Sequence, residues 1–340
     1  MISFKNDYSE GAYTGILEKM LEQNTIQNAG YGEDIHCQRA KKAIEKKLCC
    51  EDCAIHFLVG GTQANLTVIS HCLKPYQGVI AADSGHINVH ETGAIEATGH
   101  KVIAMPCQYG KLSVADVQKA LDIHTDEHMV QPKMVYVSNP TEVGTLYTKK
   151  ELEQLRDFCR EKDLIFYLDG ARMASALTAP DNDIAFEAYQ NLVDILYIGG
   201  TKCGALFGEA VVFFKKALQK DFRFSIKQKG AMLAKGWLLG IQFETLFENH
   251  VYEELGKYAN DMAKKIERAI SKKGYSFAFP HCSNQLFPIF PDDVLKKLEK
   301  EFAFTFWEKT DEKHTAIRIV TSWATKEDNV NKLIEAIERS

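Results

Sequence analysis

The chain has 340 residues, 45% of them hydrophobic and 26% charged, with a formal net charge of −5. That length suits about two domains at roughly 150 residues each, and the composition excludes a disordered polymer. The acidic balance leaves no basic field for nucleic acid or an anionic membrane surface, and no apolar run reaches the ~18 residues a bilayer span needs. The first residues, Met1 to Asp7, lack both the apolar core of a signal peptide and the arginine bias of a transit peptide, so a soluble cytoplasmic protein is expected. The nine cysteines are odd in number and scattered through apolar segments, which reads as reduced thiols. Cys50 and Cys53 form one C-x-x-C, but no second pair follows, so no structural zinc is expected.

In chain order, 34–48 reads as an amphipathic helix carrying Ala40, Ala43, Ile44 and Leu48 on one face. Short apolar runs at 54–59, 78–81, 101–105, 133–138, 164–168, 195–198 and 210–214 read as strands. Several are apolar on both faces, as strands inside a covered parallel sheet are. Helical segments separate them; the clearest is 149–162, with Leu152, Leu155, Phe158 and Cys159 on its inner face. The rhythm changes near residue 230. Residues 231–273 predict one or two long helices, followed by strands at 275–279, 286–290, 303–307 and 316–320 and helices at 292–301 and 326–338. The expected architecture is α/β: an N-terminal arm over 1–20, a large α/β domain over 21–230 with a mostly parallel sheet covered by helices, and a smaller α+β unit over 231–340.

Polar residues at strand ends are where an open α/β sheet places its chemistry. Gly60, Gly61 and Thr62 lie between a strand and an apolar helix; they suit a phosphate on a helix N-terminus, or merely a tight turn capped by Thr62. Asp169 ends an all-apolar strand and needs a cation, either a structural partner or a bound group. Lys202 sits in a glycine-rich loop, as a desolvated Schiff-base lysine would, although a solvated lysine has the same spacing. His86 suits a base, a ring-stacking group or a helix cap; His90 follows at i+4, but no third metal ligand is evident. Arg318, inside an apolar strand, needs a carboxylate from the protein or from a substrate. Each is weak alone. In this order they form the set of groups that pyridoxal phosphate requires.

From about Asn6 and Asp7 to its end, the chain resembles the threonine aldolase and β-eliminating lyase family of fold-type-I pyridoxal-phosphate enzymes. The resemblance is carried by Gly60 to Leu66, by Gly85-His86 with Glu91 to Ala94, by Leu168 to Arg172, by Gly200 to Lys202 and by Arg318 to Thr321. It implies that Lys202 bonds the cofactor, Asp169 pairs with the pyridine nitrogen, and Gly61 and Thr62 hold the phosphate. His86 would lie on the ring face and serve as the base, and Thr201 would be a further cofactor contact. Arg172 and Arg318 would bind the substrate carboxylate, with Arg172 also near the cofactor. The implied reaction is cleavage of L-threonine, L-allo-threonine or another β-hydroxy amino acid to glycine and an aldehyde, in a homodimer or homotetramer with shared sites. No metal is implied.

The chain departs from the best-known members in three places. Asn6 stands where they have serine, which alters one substrate or cofactor contact. Thr141, in Asn139-Pro140-Thr141-Glu142, stands where they have a second histidine. Lysines at 227, 229 and 235 replace an arginine that reaches phosphate, with Lys229 the expected contact. The missing histidine keeps β-elimination, or another pyridoxal-phosphate reaction on a small amino acid, as the alternative. A cofactor-free binding protein on the same fold is the remaining reading, against which Lys202 and Asp169 argue because packing requires neither.

Overall fold

The computed structural model describes residues 1–340. Its centre is a seven-stranded sheet made of β1 (Ala54–Leu58), β2 (Gln77–Ala82), β3 (Val102–Met105), β4 (Gln131–Ser138), β5 (Ile165–Gly170), β6 (Ile195–Gly199) and β7 (Glu209–Phe213). The spatial order is β1-β7-β6-β5-β4-β2-β3. All seven expected strands are present. Strand β7 alone runs against both of its neighbours, β6 and β1, so the segment carrying Lys202 is a hairpin loop rather than a crossover.

Alternation along the strands divides the core into two layers. Val135, Phe166, Leu168, Leu196 and Ile198 face one layer, packed with Ile44, Leu152 and Leu155 from the predicted helices. Met134, Tyr136, Tyr167, Tyr197 and Val211 face the other, against Ala64 and Val68 of the helix Gly61–Cys72. Burial on both faces explains why these strands read as unbroken apolar runs. It also gathers the hydroxyls of Tyr136, Tyr167 and Tyr197 on the side where the site forms. The covering helices begin where their caps dictate: Asp34 accepts the Cys37 amide at 2.8 Å, and Thr148 and Glu151 form a capping box.

After the large sheet come the helices Trp237–Phe247 and Val251–Lys272, the two-helix form of the expectation for 231–273. The smaller sheet follows, with β8 (Gln285–Leu286), β9 (Ile289–Pro291), β10 (Thr305–Lys309) and β11 (His314–Val320), all pairing antiparallel to β11. Residues 275–279 do not form the expected strand. They make one bridge, Phe277 to Pro288, flanked by the Ala278 amide on the Phe287 carbonyl and the Ile289 amide on the Ser276 carbonyl, each at 2.9 Å.

The N-terminus is no free arm. Ile2–Ser3 pairs in parallel with Phe302–Ala303, Phe4 is buried in the core of the C-terminal unit, and its carbonyl accepts the Val320 amide at 2.9 Å. This seam carries Asn6 and Asp7 to the mouth of the large sheet. No helix is long and apolar enough to cross a membrane.

Candidate active site

A pocket at the carboxyl ends of β4, β5 and β6 is walled by Gly61, Asn65, His86, Glu142, Asp169, Arg172 and Lys202, among others. Residues 141 apart in sequence, Gly61 and Lys202, thus meet at one end of the sheet.

At the start of the helix Gly61–Cys72, Ala64 is the first residue whose amide bonds back, to the Gly60 carbonyl at 2.9 Å. The amides of Gly61, Thr62 and Gln63 therefore have no intrahelical acceptor, which makes this end an anion seat. Gly61 must be glycine here, because a Cβ would sit 2.9 Å from the Tyr197 hydroxyl. Lys229 adjoins this turn in the same chain: its carbonyl accepts Gln63 Nε2 at 3.2 Å. Of the other expected phosphate lysines, Lys227 lies over the Tyr31 ring, 4.9 Å from its centroid, and Lys235 is exposed.

Asp169 is buried, and both its oxygens are held. Oδ1 accepts the Ala171 amide at 2.8 Å; Oδ2 accepts the Tyr136 hydroxyl at 2.6 Å and Asn65 Nδ2 at 3.2 Å. Asn65 in turn accepts the Tyr167 hydroxyl and donates to Glu91 Oε1, each at 2.8 Å. Glu91 Oε1 also pairs with His86 Nδ1 at 2.7 Å. A continuous chain of hydrogen bonds therefore fixes the carboxylate of Asp169 and the imidazole of His86 relative to each other. His90 lies 5.5 Å from His86, ring centroid to centroid, and no group of histidine, cysteine or acidic residues suits a metal ion.

Lys202 lies in the loop between β6 and β7. Burial pushes its amine below the ordinary lysine value and Arg172 adds to this, while Asp7, Asp169 and Glu209 oppose it. The loop is held from beneath by Glu209, which accepts the Gly200 amide at 2.9 Å and the Thr201 hydroxyl at 2.6 Å. Gly200 packs so closely that a Cβ would stand 2.5 Å from the Gly208 carbonyl oxygen. The Thr201 hydroxyl also accepts the Gly208 amide, at 3.2 Å, so it braces the loop beside the pocket. Burial pushes the Glu209 carboxyl up to about 7, with Thr201, Gly200, Lys202 and Tyr197 acting against it.

The expected carboxylate-binding arginines differ from each other. Arg172 is engaged by Asp7, through Nε at 2.7 Å and Nη2 at 3.0 Å. Arg318 donates only to the Lys5 carbonyl, at 3.3 Å, and its buried Nε has no partner. Asn6 turns inward on its own strand end, its Oδ1 accepting the Tyr8 amide at 3.0 Å and the Ser9 hydroxyl at 2.8 Å. Thr141 is fully buried and bonded to Thr145 Oγ1 at 2.7 Å; its neighbour Glu142 lines the pocket instead.

Several participants escaped the sequence reading. Glu91 was visible inside a motif, but its partnership with His86 was not. Asn65 likewise lay inside a motif, while Tyr136, Glu142 and Glu209 carried no signal of their own, because their roles depend on how loops and strands bring partners together.

Comparison with known proteins follows from this geometry. Residues 9–288 match the family described as beta-eliminating lyase. The chain belongs to that family. It is 28% identical to the low specificity L-threonine aldolase of a Pseudomonas species (strain NCIMB 10558), covering 98% of this chain and 97% of that protein. The threonine aldolase of Leishmania major superposes with a TM-score of 0.98 at 47% identity, over 100% of this chain and 99% of that one. Aspartate aminotransferase of Thermus thermophilus shares the fold alone, with a TM-score of 0.69 at 16% identity over 100% and 91% of the two chains. This is the fold-type-I architecture, and pyridoxal phosphate is the cofactor of the beta-eliminating lyase family. The residues present fit it. Open amides at Gly61 to Gln63 suit its phosphate, the held carboxylate of Asp169 its pyridine nitrogen, and the buried amine of Lys202 its aldehyde.

Proposed function

We propose that this chain is a pyridoxal-phosphate-dependent aldolase that cleaves L-threonine, and L-allo-threonine, to glycine and acetaldehyde. The observation that carries the reading is the convergence of Lys202, Asp169, His86 and the open helix end of Gly61 on one pocket. Its likeness to the Leishmania major and Pseudomonas threonine aldolases supports the choice of substrate.

When bound, pyridoxal phosphate supplies an electron sink for a bond at the amino acid's Cα. Lys202 is the amine that holds it. Asp169, fixed by Tyr136, Asn65 and the Ala171 amide, keeps a proton on the pyridine nitrogen. His86, oriented through Nδ1 by Glu91, would lie against the cofactor ring, with Nε2 unengaged by the protein. The amides at Gly61 and Thr62 bind the phosphate, and the adjoining Lys229 adds positive charge there. Arg318, whose Nε has no partner in the protein, would take the substrate carboxylate together with Arg172, and so orient the bonds at Cα. Thr201 braces the lysine loop. We further infer a homo-oligomer, with the exposed Leu17, Leu21, Ile26 and Ile35 as part of the contact between copies.

The test is purified protein loaded with pyridoxal phosphate and given L-threonine, with acetaldehyde and ammonia both assayed. Acetaldehyde with glycine is expected. Ammonia with a keto acid and no aldehyde would replace the aldolase by an eliminating lyase. Lys202→Ala is expected to abolish the adduct trapped by borohydride.

A further inference from the structure

Of the acidic side chains that line the pocket, Asp169 and Glu142, only Glu142 has an oxygen to spare. Both oxygens of Asp169 accept hydrogen bonds. Glu142 Oε1 accepts the Ser138 hydroxyl at 2.7 Å and the His86 amide at 2.9 Å. Its Oε2 accepts from no other residue and is not among the buried polar atoms lacking a partner, so it stays open to the pocket. The carboxyl is thus clamped through one oxygen and presented through the other. His86, Asp169, Arg172, Lys202 and Tyr197 share the pocket with it, and Tyr136, Tyr147 and Cys107 lie close enough to feel its charge.

We propose that Glu142 is the proton acceptor for the β-hydroxyl group when the amino acid is cleaved, and the donor that returns this proton to Cα. The proposal rests on the threonine-cleaving reading above. Glu142 Oε2 takes the hydroxyl proton, and the O–H electron pair becomes the second bond of the aldehyde carbonyl. The Cα–Cβ bond breaks with its pair left at Cα, and the proton from Glu142 then completes glycine. Protons and electrons balance with no further reagent. Burial raises the Glu142 carboxyl pKa from its ordinary value, against the hydrogen bonds from Ser138 and the His86 amide, which favours a group that must take up a proton and then release it. His86 then covers the ring, held by Glu91, and the same loop turns Thr141 away into its bond with Thr145.

The experiment compares the loaded wild-type enzyme with Glu142→Gln, Glu142→Asp and His86→Phe. Glutamine keeps an oxygen for Ser138 and the His86 amide but cannot accept the proton. Glu142→Gln is expected to release acetaldehyde from L-threonine at least about 100-fold more slowly. Its glycine affinity, read from the cofactor's absorbance, should stay within about threefold (on the order of 0.6 kcal/mol) of wild type. Glu142→Asp should recover part of the rate. In cofactor-free protein, the thermal stability of wild type should fall as pH rises through the Glu142 titration, and this slope should flatten in Glu142→Gln.

Aldehyde release at the wild-type rate in Glu142→Gln would overturn the proposal, as would an equal loss of glycine binding or an unaltered pH slope. Loss of aldehyde release in His86→Phe alone would return the proton to His86. Wild-type enzyme that binds glycine but yields no aldehyde would instead overturn the threonine-cleaving reading, and this proposal with it.

Discussion

Asp7 grips Arg172 by two parallel hydrogen bonds, at 2.7 and 3.0 Å, with its carboxylate 1% exposed. Asn284 donates a third, to Oδ2 at 2.9 Å. An arginine expected to meet substrate is thereby fixed in place by the chain's own seventh residue, with Nη1 left over. Burial tends to raise the Asp7 pKa, but Arg172, Lys202 and Asn284 outweigh it and hold the carboxyl below its ordinary value.

Asp7→Asn is expected to cost about 3–5 kcal/mol of stability, because it leaves the Arg172 charge buried without its partner. Urea unfolding at neutral pH measures this. Since the folded-state pKa is lowered, the ion pair contributes fully above about pH 4 and fades as pH falls through the folded-state value. Wild type and variant should therefore converge in acid and diverge towards neutrality.

Arg318→Gln should raise KM for L-threonine by about 10- to 100-fold, the scale of one charge-assisted hydrogen bond. Cofactor affinity, followed by absorbance, should change little, since Arg318 binds only the Lys5 carbonyl within the protein. A KM close to wild type would remove Arg318 from substrate binding.

Glu209 should give the protein a stability that depends on pH near neutrality. Its carboxyl is pushed up to about 7 by burial, so the neutral form favours folding. That contribution is full below about pH 4.5 and is lost as pH rises through 7. Between pH 5 and 8, cofactor-free wild type should lose on the order of 1–3 kcal/mol that Glu209→Gln does not lose. Calorimetry across that interval is the measurement, and parallel curves would refute it.

Tyr136→Phe removes the 2.6 Å hydrogen bond to Asp169 Oδ2 while preserving the packing of a buried ring. Loss of a hydrogen bond to a buried carboxylate weakens the grip on a protonated ring nitrogen, by about tenfold in cofactor Kd. Equilibrium titration with pyridoxal phosphate tests it.

The fold was legible where local pattern and burial agree. Apolar runs marked every strand of the large sheet, and Gly61, His86, Asp169 and Lys202, picked out in order along the chain, line one pocket. Legibility failed where direction in a loop decides. Thr141 and Glu142 are adjacent, and only the turn after Ser138 determines that Glu142 faces the pocket while Thr141 bonds Thr145. It failed again for Glu209, a charged residue on a fully buried strand, whose partners Gly200 and Thr201 are brought opposite by the hairpin register. At 275–279 a strand-like composition yields only the single bridge of Phe277 to Pro288.

The seam between Ile2–Ser3 and Phe302–Ala303 also governs when the site becomes complete during synthesis. Arg318 reaches the Lys5 carbonyl across 313 residues of sequence, so Lys5 lacks this partner until β11 has been made. The sheet that carries Lys202 and Asp169 can form earlier, but Asp7 is delivered to Arg172 beside a strand edge made only at the end. A chain cut before β11 would therefore keep Asp169 and Lys202 on the large sheet while lacking Arg318 and the seam that carries Asp7 to Arg172.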